Sequence, residues 1–200
     1  MSRPNYVHVI TAAWKQVALL TILGIVLAVA VSLFQPFQYS STVKLLITQT
    51  NPTGLDPYTA VKSTERIAQN LSELVYTTAF FDAVTSDASV DATVFPKDEI
   101  QKRKTWQKTI ETSVLPNTGV MTITAYSANR DQATTLAVRS AQELSVQAPN
   151  YFGFSVRAQV IDSPLPSRYF ARPNLIKNSL FGAIAGLLLG MVLVLWKVRE

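Results

Sequence analysis

From Val17 to Phe34 the chain carries no charge, and the same holds from Asn178 to Trp196. Lys15 and Lys44 flank the first run, and Lys177 and Lys197 bracket the second. A helix needs about 20 apolar residues to cross roughly 30 Å of hydrocarbon. Both runs meet that length, so the pattern predicts membrane-spanning helices over 16–36 and 178–196. Phe34, Gln35, Pro36 and Phe37 follow the first run, without a small-residue cleavage site before a polar start. An uncleaved anchor is expected there rather than a signal peptide.

Between the runs the pattern changes period. Tyr39 to Thr48 alternates, with Val43, Leu45 and Ile47 on one face, as a strand does. Asn51-Pro52-Thr53-Gly54 breaks it. Thr59 to Ser86 has a helical period, with Ile67, Leu71, Leu74 and Val75 on one stripe, continued by Ala79 and Phe80 or Val84. A polar connection follows to Pro96, and then a short helix over Lys97–Lys104. Trp106, Ile110 and Val114 share a face of a predicted second strand. Pro116-Asn117-Thr118-Gly119 reads as a hairpin turn, and Val120–Tyr126 as the third strand, with Met121, Ile123 and Ala125 on one face. A second helix opens at Ser127 or Asn129, packs by a small-residue stripe of Ala133, Leu136, Ala137, Ser140, Ala141 and Leu144, and is expected to end at Pro149. Ser155–Asp162 is the fourth strand, with Val156, Ala158 and Val160 on one face. The order predicts an α+β domain of split β-α-β type, a mixed four-stranded sheet with two helices, flanked by two transmembrane helices.

The spans carry small residues at helical spacing: Gly182, Gly186 and Gly190 in the second, Gly24, Ala28 and Ser32 in the first. Such stripes let helices approach closely, within one chain or between copies. Past the fourth strand, Pro164, Pro166 and Pro173 punctuate residues 162–174. Proline fixes φ and biases its predecessor to extended geometry, so a stiff juxtamembrane strap is expected there.

Of the 18 basic and 13 acidic residues, Arg3, Lys15, Lys197, Arg199 and Glu200 lie outside 36–177. That leaves 14 basic and 12 acidic residues in the middle, too balanced for a nucleic-acid partner. Basic flanks on short segments favour the cytoplasmic side. The expected layout is therefore a cytoplasmic tail at 1–15, spans at 16–36 and 178–196, an extracytoplasmic domain at 37–177 and a second cytoplasmic tail at 197–200. Trp14 and Trp196 suit one membrane interface, Phe37 and Tyr39 the other. The cluster Lys102-Arg103-Lys104 with Lys108 reads as a solvated helix face, or as an anion-attracting site.

Catalysis has few candidates. The single histidine, His8, lies in the first tail, and there is no cysteine. This leaves no histidine base, no thiolate nucleophile and no His/Cys metal set for the middle domain. Asp82, Asp87 and Asp91 lack the ligand order and glycine of a calcium loop. Glu65 and Glu73 sit on a polar helix face. No catalytic residue, cofactor or metal is expected, and the chain is not read as an enzyme.

The segment from Asp162 to Asn174 resembles the proline-rich juxtamembrane signature of bacterial polysaccharide co-polymerases, the chain-length determinant or Wzz family. Trp14-Lys15, Tyr39 with its strand, and Thr122–Tyr126 followed by Asn129–Ala133 are similar to other family motifs in the same order. The family's long helical extension is missing, since few residues separate Asn129 from Pro149, so the resemblance is to its short, adaptor-like members. It implies a non-enzymatic scaffold in the bacterial plasma membrane, with two spans and both flanks cytoplasmic. It also implies a homo-oligomer in the lipid bilayer that sets the chain length or export of a surface polysaccharide. The implied partners are a polymerase, the nascent glycan or a separate cytoplasmic tyrosine kinase. Lys197–Glu200 holds neither a phosphate-binding glycine loop nor a tyrosine cluster, so no kinase is expected in the chain. The alternatives are a two-span sensor or an assembly factor of another envelope machine.

Overall fold

The computed structural model describes residues 12–49, 56–152 and 156–197. The break at 51–54, the start of the fourth strand at Ser155, His8 and most of both tails lie outside them. The chain forms two compact units, one from its two ends and one spanning Gln38–Ala171. Among the described residues there are six α-helices and one four-stranded sheet, an α+β architecture.

The first unit is a helix pair, α1 (Trp14–Leu33) and α6 (Leu175–Lys197). Both are long and apolar enough to cross a membrane. Asn174 caps α6 by accepting the Lys177 N–H at 3.0 Å. The helices run antiparallel: Gly190 lies against Val17, Gly186 against Leu20 and Thr21, and Gly182 against Gly24. The outer surface is apolar and exposed, as at Ile22, Val26, Leu180 and Leu189.

The second unit is built on β1 (Tyr39–Gln49), β2 (Ile110–Val114), β3 (Val120–Ser127) and β4 (Val156–Pro166). The order is β2-β3-β1-β4. Every neighbouring pair is antiparallel, so the sheet is not mixed as expected. The reason is the split connection. β1 and β2 point the same way, but β3 lies between them and bonds to both in the opposite sense. Alternation then sorts the faces. Val43, Leu45 and Ile47 of β1 and Met121, Ile123 and Ala125 of β3 are buried under helices, with Ile110 and Val156 beside them. The opposite face is polar. There Thr42 meets Thr124 at 3.1 Å, Tyr126 donates to Glu111 at 2.9 Å, and Lys44 pairs with Asp162 at 3.6 Å.

The sheet unit holds four α-helices rather than two: α2 (Pro57–Leu74), α3 (Thr78–Thr85), α4 (Glu99–Thr109) and α5 (Arg130–Phe152). Three expectations change with them. The long helix over Thr59–Ser86 is broken at Thr77, whose backbone is extended. The Thr77 hydroxyl donates to the Leu74 carbonyl at 2.7 Å and accepts the Phe80 N–H at 3.3 Å. It therefore closes α2 and caps α3. Trp106 belongs to α4, not to a strand. Its spacing to Ile110 fits one helical turn as well as two strand repeats, so periodicity alone did not separate them. Pro149 does not end α5. It removes one backbone donor, and the helix runs three residues further.

The core nonetheless holds the expected residues. Leu71, Trp106, Ile110, Ile123 and Leu136 are all buried. Trp106 donates its indole N–H to the Val75 carbonyl at 2.7 Å, which ties α4 to the end of α2. Phe81 and Phe95 meet Trp106 edge-on at 5.1 and 5.8 Å between centroids. The stripe Ala133, Ala137, Ser140, Ala141 and Ala148 is buried along α5, and its small side chains bring that helix close to the sheet.

Candidate functional site

The small residues of the two end helices face one another within the pair. A Cβ built on Gly24 would collide with the Gly182 carbonyl oxygen and come within 3.0 Å of Gly186 Cα. One on Gly182 would lie 2.5 Å from the Ala28 side chain, and one on Gly186 would meet the Leu20 carbonyl oxygen and Thr21 Cα. At Gly190 the approach is looser, 3.1 Å to Val17 Cα. The contact is thus backbone against backbone over about two turns, a geometry that glycine permits.

Ser32 closes one end of this seam. Its hydroxyl donates to the Ala28 carbonyl at 2.8 Å and accepts from the Asn178 amide at 2.7 Å. Asn178 thereby supplies a hydrogen bond between the helices. It was legible only as the polar edge of an apolar run, and nothing in its spacing singled out Ser32 as its partner.

The prolines divide between the units. Pro164 and Pro166 belong to β4 rather than to a strap beyond the sheet. Pro166 pairs with Ser41 and Leu165 with Thr42. β4 is an edge strand, where a missing N–H need not cost a ladder bond. The register shifts on both sides of Lys44, so bulges and prolines together blunt this edge. The chain stays tied to β1 beyond it, as the Ser167 and Ala171 N–H groups donate to the Ser40 and Gln38 carbonyls at 2.7 Å each. Tyr39 and Phe170 pack there with ring centroids 4.6 Å apart. Pro173 is buried and immediately precedes the Asn174 cap of α6.

The acidic residues are engaged locally. Asp87 accepts from Ser89 and pairs with Arg139 at 2.9 Å, and Asp91 accepts from Thr93. Hydrogen bonds from those neighbours hold both carboxyls below the usual carboxylate range. Asp82 lies 3.8 Å from Lys102. Glu65 is lowered by Lys62, which donates to it at 2.9 Å, and by the backbone N–H of Asn117. Asn117 sits at φ 58° in the hairpin turn, a conformation that asparagine tolerates. Among the described residues no three His, Cys, Asp or Glu side chains gather as a metal set.

The basic cluster on α4 is partly neutralised. Glu99 pairs with Lys102 at 2.7 Å and Arg103 at 3.0 Å, and these bonds hold its carboxyl down at about 2. Lys102 also lies over the Phe81 ring, 5.2 Å from its centroid. Lys102 and Arg103, like the aspartates, are engaged in caps, i,i+3 and i,i+4 ion pairs and one cation–π contact. Comparison of the chain with models of known families gives no match, and comparison with curated proteins gives none either.

Proposed function

We propose that this protein is a non-enzymatic membrane scaffold that governs the chain length or export of a bacterial surface polysaccharide. In this reading α1 and α6 cross the plasma membrane with both flanks cytoplasmic, and the sheet unit lies on the outer side. Copies assemble into an oligomer that acts on a polymerase or nascent glycan through its geometry. The observation that carries the reading is the layout. Two apolar helices from the two ends of the chain bracket one α+β unit, and the segment from Asp162 to Asn174 carries the family resemblance. The engagement of Asp87, Asp91 and Glu99 in caps and ion pairs also suits a part that works by shape.

The test is gel analysis of surface polysaccharide in a deletion strain complemented with variants. Deletion is expected to change polymer length or amount. Glu65→Gln and Asp82→Asn should complement fully, and Gly186→Leu should shift the length distribution. Unchanged polymer in the deletion strain would overturn the reading. Topology is checked separately with an impermeant thiol reagent, since the chain has no native thiol. Asn117→Cys should label in intact cells and Ser2→Cys should not.

A further inference from the structure

Because α1 and α6 are antiparallel, Lys15 near the start of one and Lys197 at the end of the other come to the same end of the pair. A groove of about 590 Å³ lies there. Its walls are Leu19, Leu20, Leu193 and Trp196, and both lysines line it. That volume is in the range of roughly 300–1,000 Å³ typical of small-ligand clefts. No carboxylate lines the groove, and neither lysine forms a salt bridge among the described residues.

An occupant must satisfy two chemistries at once, an apolar wall and, at one end, two ammonium groups that form no salt bridge among the described residues. A neutral acyl chain answers only the first, and a soluble anion only the second. A second copy seated in this groove would bring its own lysines against these two, where like charges repel. We propose that this groove binds an anionic phospholipid, with its phosphate held by Lys15 and Lys197 and an acyl chain laid along Leu19, Leu20 and Leu193. Lysine stems lie along apolar surface while the ammonium reaches the headgroup layer, and basic pockets between spans suit anionic headgroups. Trp196, on the groove wall, has the amphipathic ring that settles at that depth. The proposal rests on the reading that both helices cross a bilayer.

The chain has three tryptophans, and Trp106 is 1% exposed in the core of the sheet unit. In a Trp14→Phe background, Trp196 is therefore the reporter and Trp106 a constant background. The full chain is reconstituted into vesicles of phosphatidylcholine with a minor fraction of phosphatidylglycerol. Two vesicle sets share this composition and differ only in which lipid carries bromine, a contact quencher. Surface potential is then identical, and quenching per brominated lipid reads local enrichment. Phosphatidylglycerol is expected to be enriched about fivefold at Trp196, the scale of one lysine near an anionic surface or more. Lys15→Gln/Lys197→Gln should bring the ratio to one. Leu19→Phe/Leu193→Phe, which fills the groove and keeps both lysines, should also reduce it. Equal quenching in the parent overturns the groove and leaves the membrane reading standing. So does full enrichment in the filled variant, because general surface attraction would then suffice. If neither brominated lipid quenches Trp196, the helices are not in the bilayer and both readings fall.

Discussion

The sheet unit buries many large side chains, among them Trp106, Phe80, Leu45, Ile47, Leu71 and Leu136, beside the small-residue stripe of α5. In the helix pair the buried positions are small, Ser32, Gly182, Gly186 and Gly190 with Val194, while leucines, isoleucines and tryptophans point outward. The two regions follow opposite sorting rules. The sheet unit gains by removing apolar area from water, so bulk goes inside and threonines, lysines and carboxylates stay on the open face. The helix pair has an apolar exterior, so burying a leucine between its helices offers no comparable gain. Cohesion there comes from close backbone approach and from one interhelical hydrogen bond. A substitution that is harmless in one region is therefore disruptive in the other.

The sharpest way to break this contrast is a charge in the large-residue core. Leu136→Asp on α5 is expected to cost roughly 3–5 kcal/mol, because an unpaired buried carboxylate has no compensation. Denaturation of the full chain in detergent, followed by near-ultraviolet signal from the buried Trp106, checks it. An unchanged midpoint would mean that α5 does not pack as described. The same substitution class in the other region should act by volume rather than by charge. Gly186→Leu is expected to cost about 1–3 kcal/mol of helix–helix packing, the range for overfilled contacts. Spin labels on cysteines at the exposed positions 23 and 188 should move apart, whereas a leucine at a solvent-facing position of the sheet unit should leave its structure unchanged.

Two smaller effects sharpen the comparison. Asn178→Ala removes the bond to Ser32, and interhelical bonds of this kind average about 0.6 kcal/mol. The variant should loosen the pair measurably in the same spin-label experiment without separating the helices. The smallest effect is electrostatic and belongs to the sheet unit alone. Glu99 is held at about 2 instead of the ordinary 4.5 by Lys102 and Arg103. A carboxyl lowered in the folded state contributes stability that is complete above the unfolded value and is lost as pH falls toward the folded one. Glu99→Gln should therefore flatten the acid limb of the stability profile between 4.5 and about 2, modestly, since the pair is solvent-exposed and screened. A steeper acid limb in the variant would reverse the sign of this assignment.

What the sequence determined by itself was local. Unbroken apolarity of span length marked α1 and α6, because length and charge exclusion need no tertiary partner. Strict alternation marked β1 and β3 and named their inward faces correctly at Val43, Leu45, Ile47, Met121, Ile123 and Ala125. Asn129 showed as a helix cap because that bond closes within three residues. The tertiary structure decided the rest. Beside the Thr77 break in the helical period, Trp106 takes the Val75 carbonyl and the Tyr76 hydroxyl accepts the Thr112 N–H at 3.0 Å, bonds made across more than 30 residues. Trp106 and Ile110 satisfied both periods, and only the core settled which applied. Pro164 and Pro166 read as a strap until the position of β4 at the sheet edge made proline acceptable inside a strand. The glycine stripes announced close packing, but their pairing of Gly24 with Gly182 and of Ser32 with Asn178 followed from the antiparallel register of two segments more than 140 residues apart. Local chemistry shows in spacing. A choice between partners depends on distance in space, which spacing along the chain does not contain.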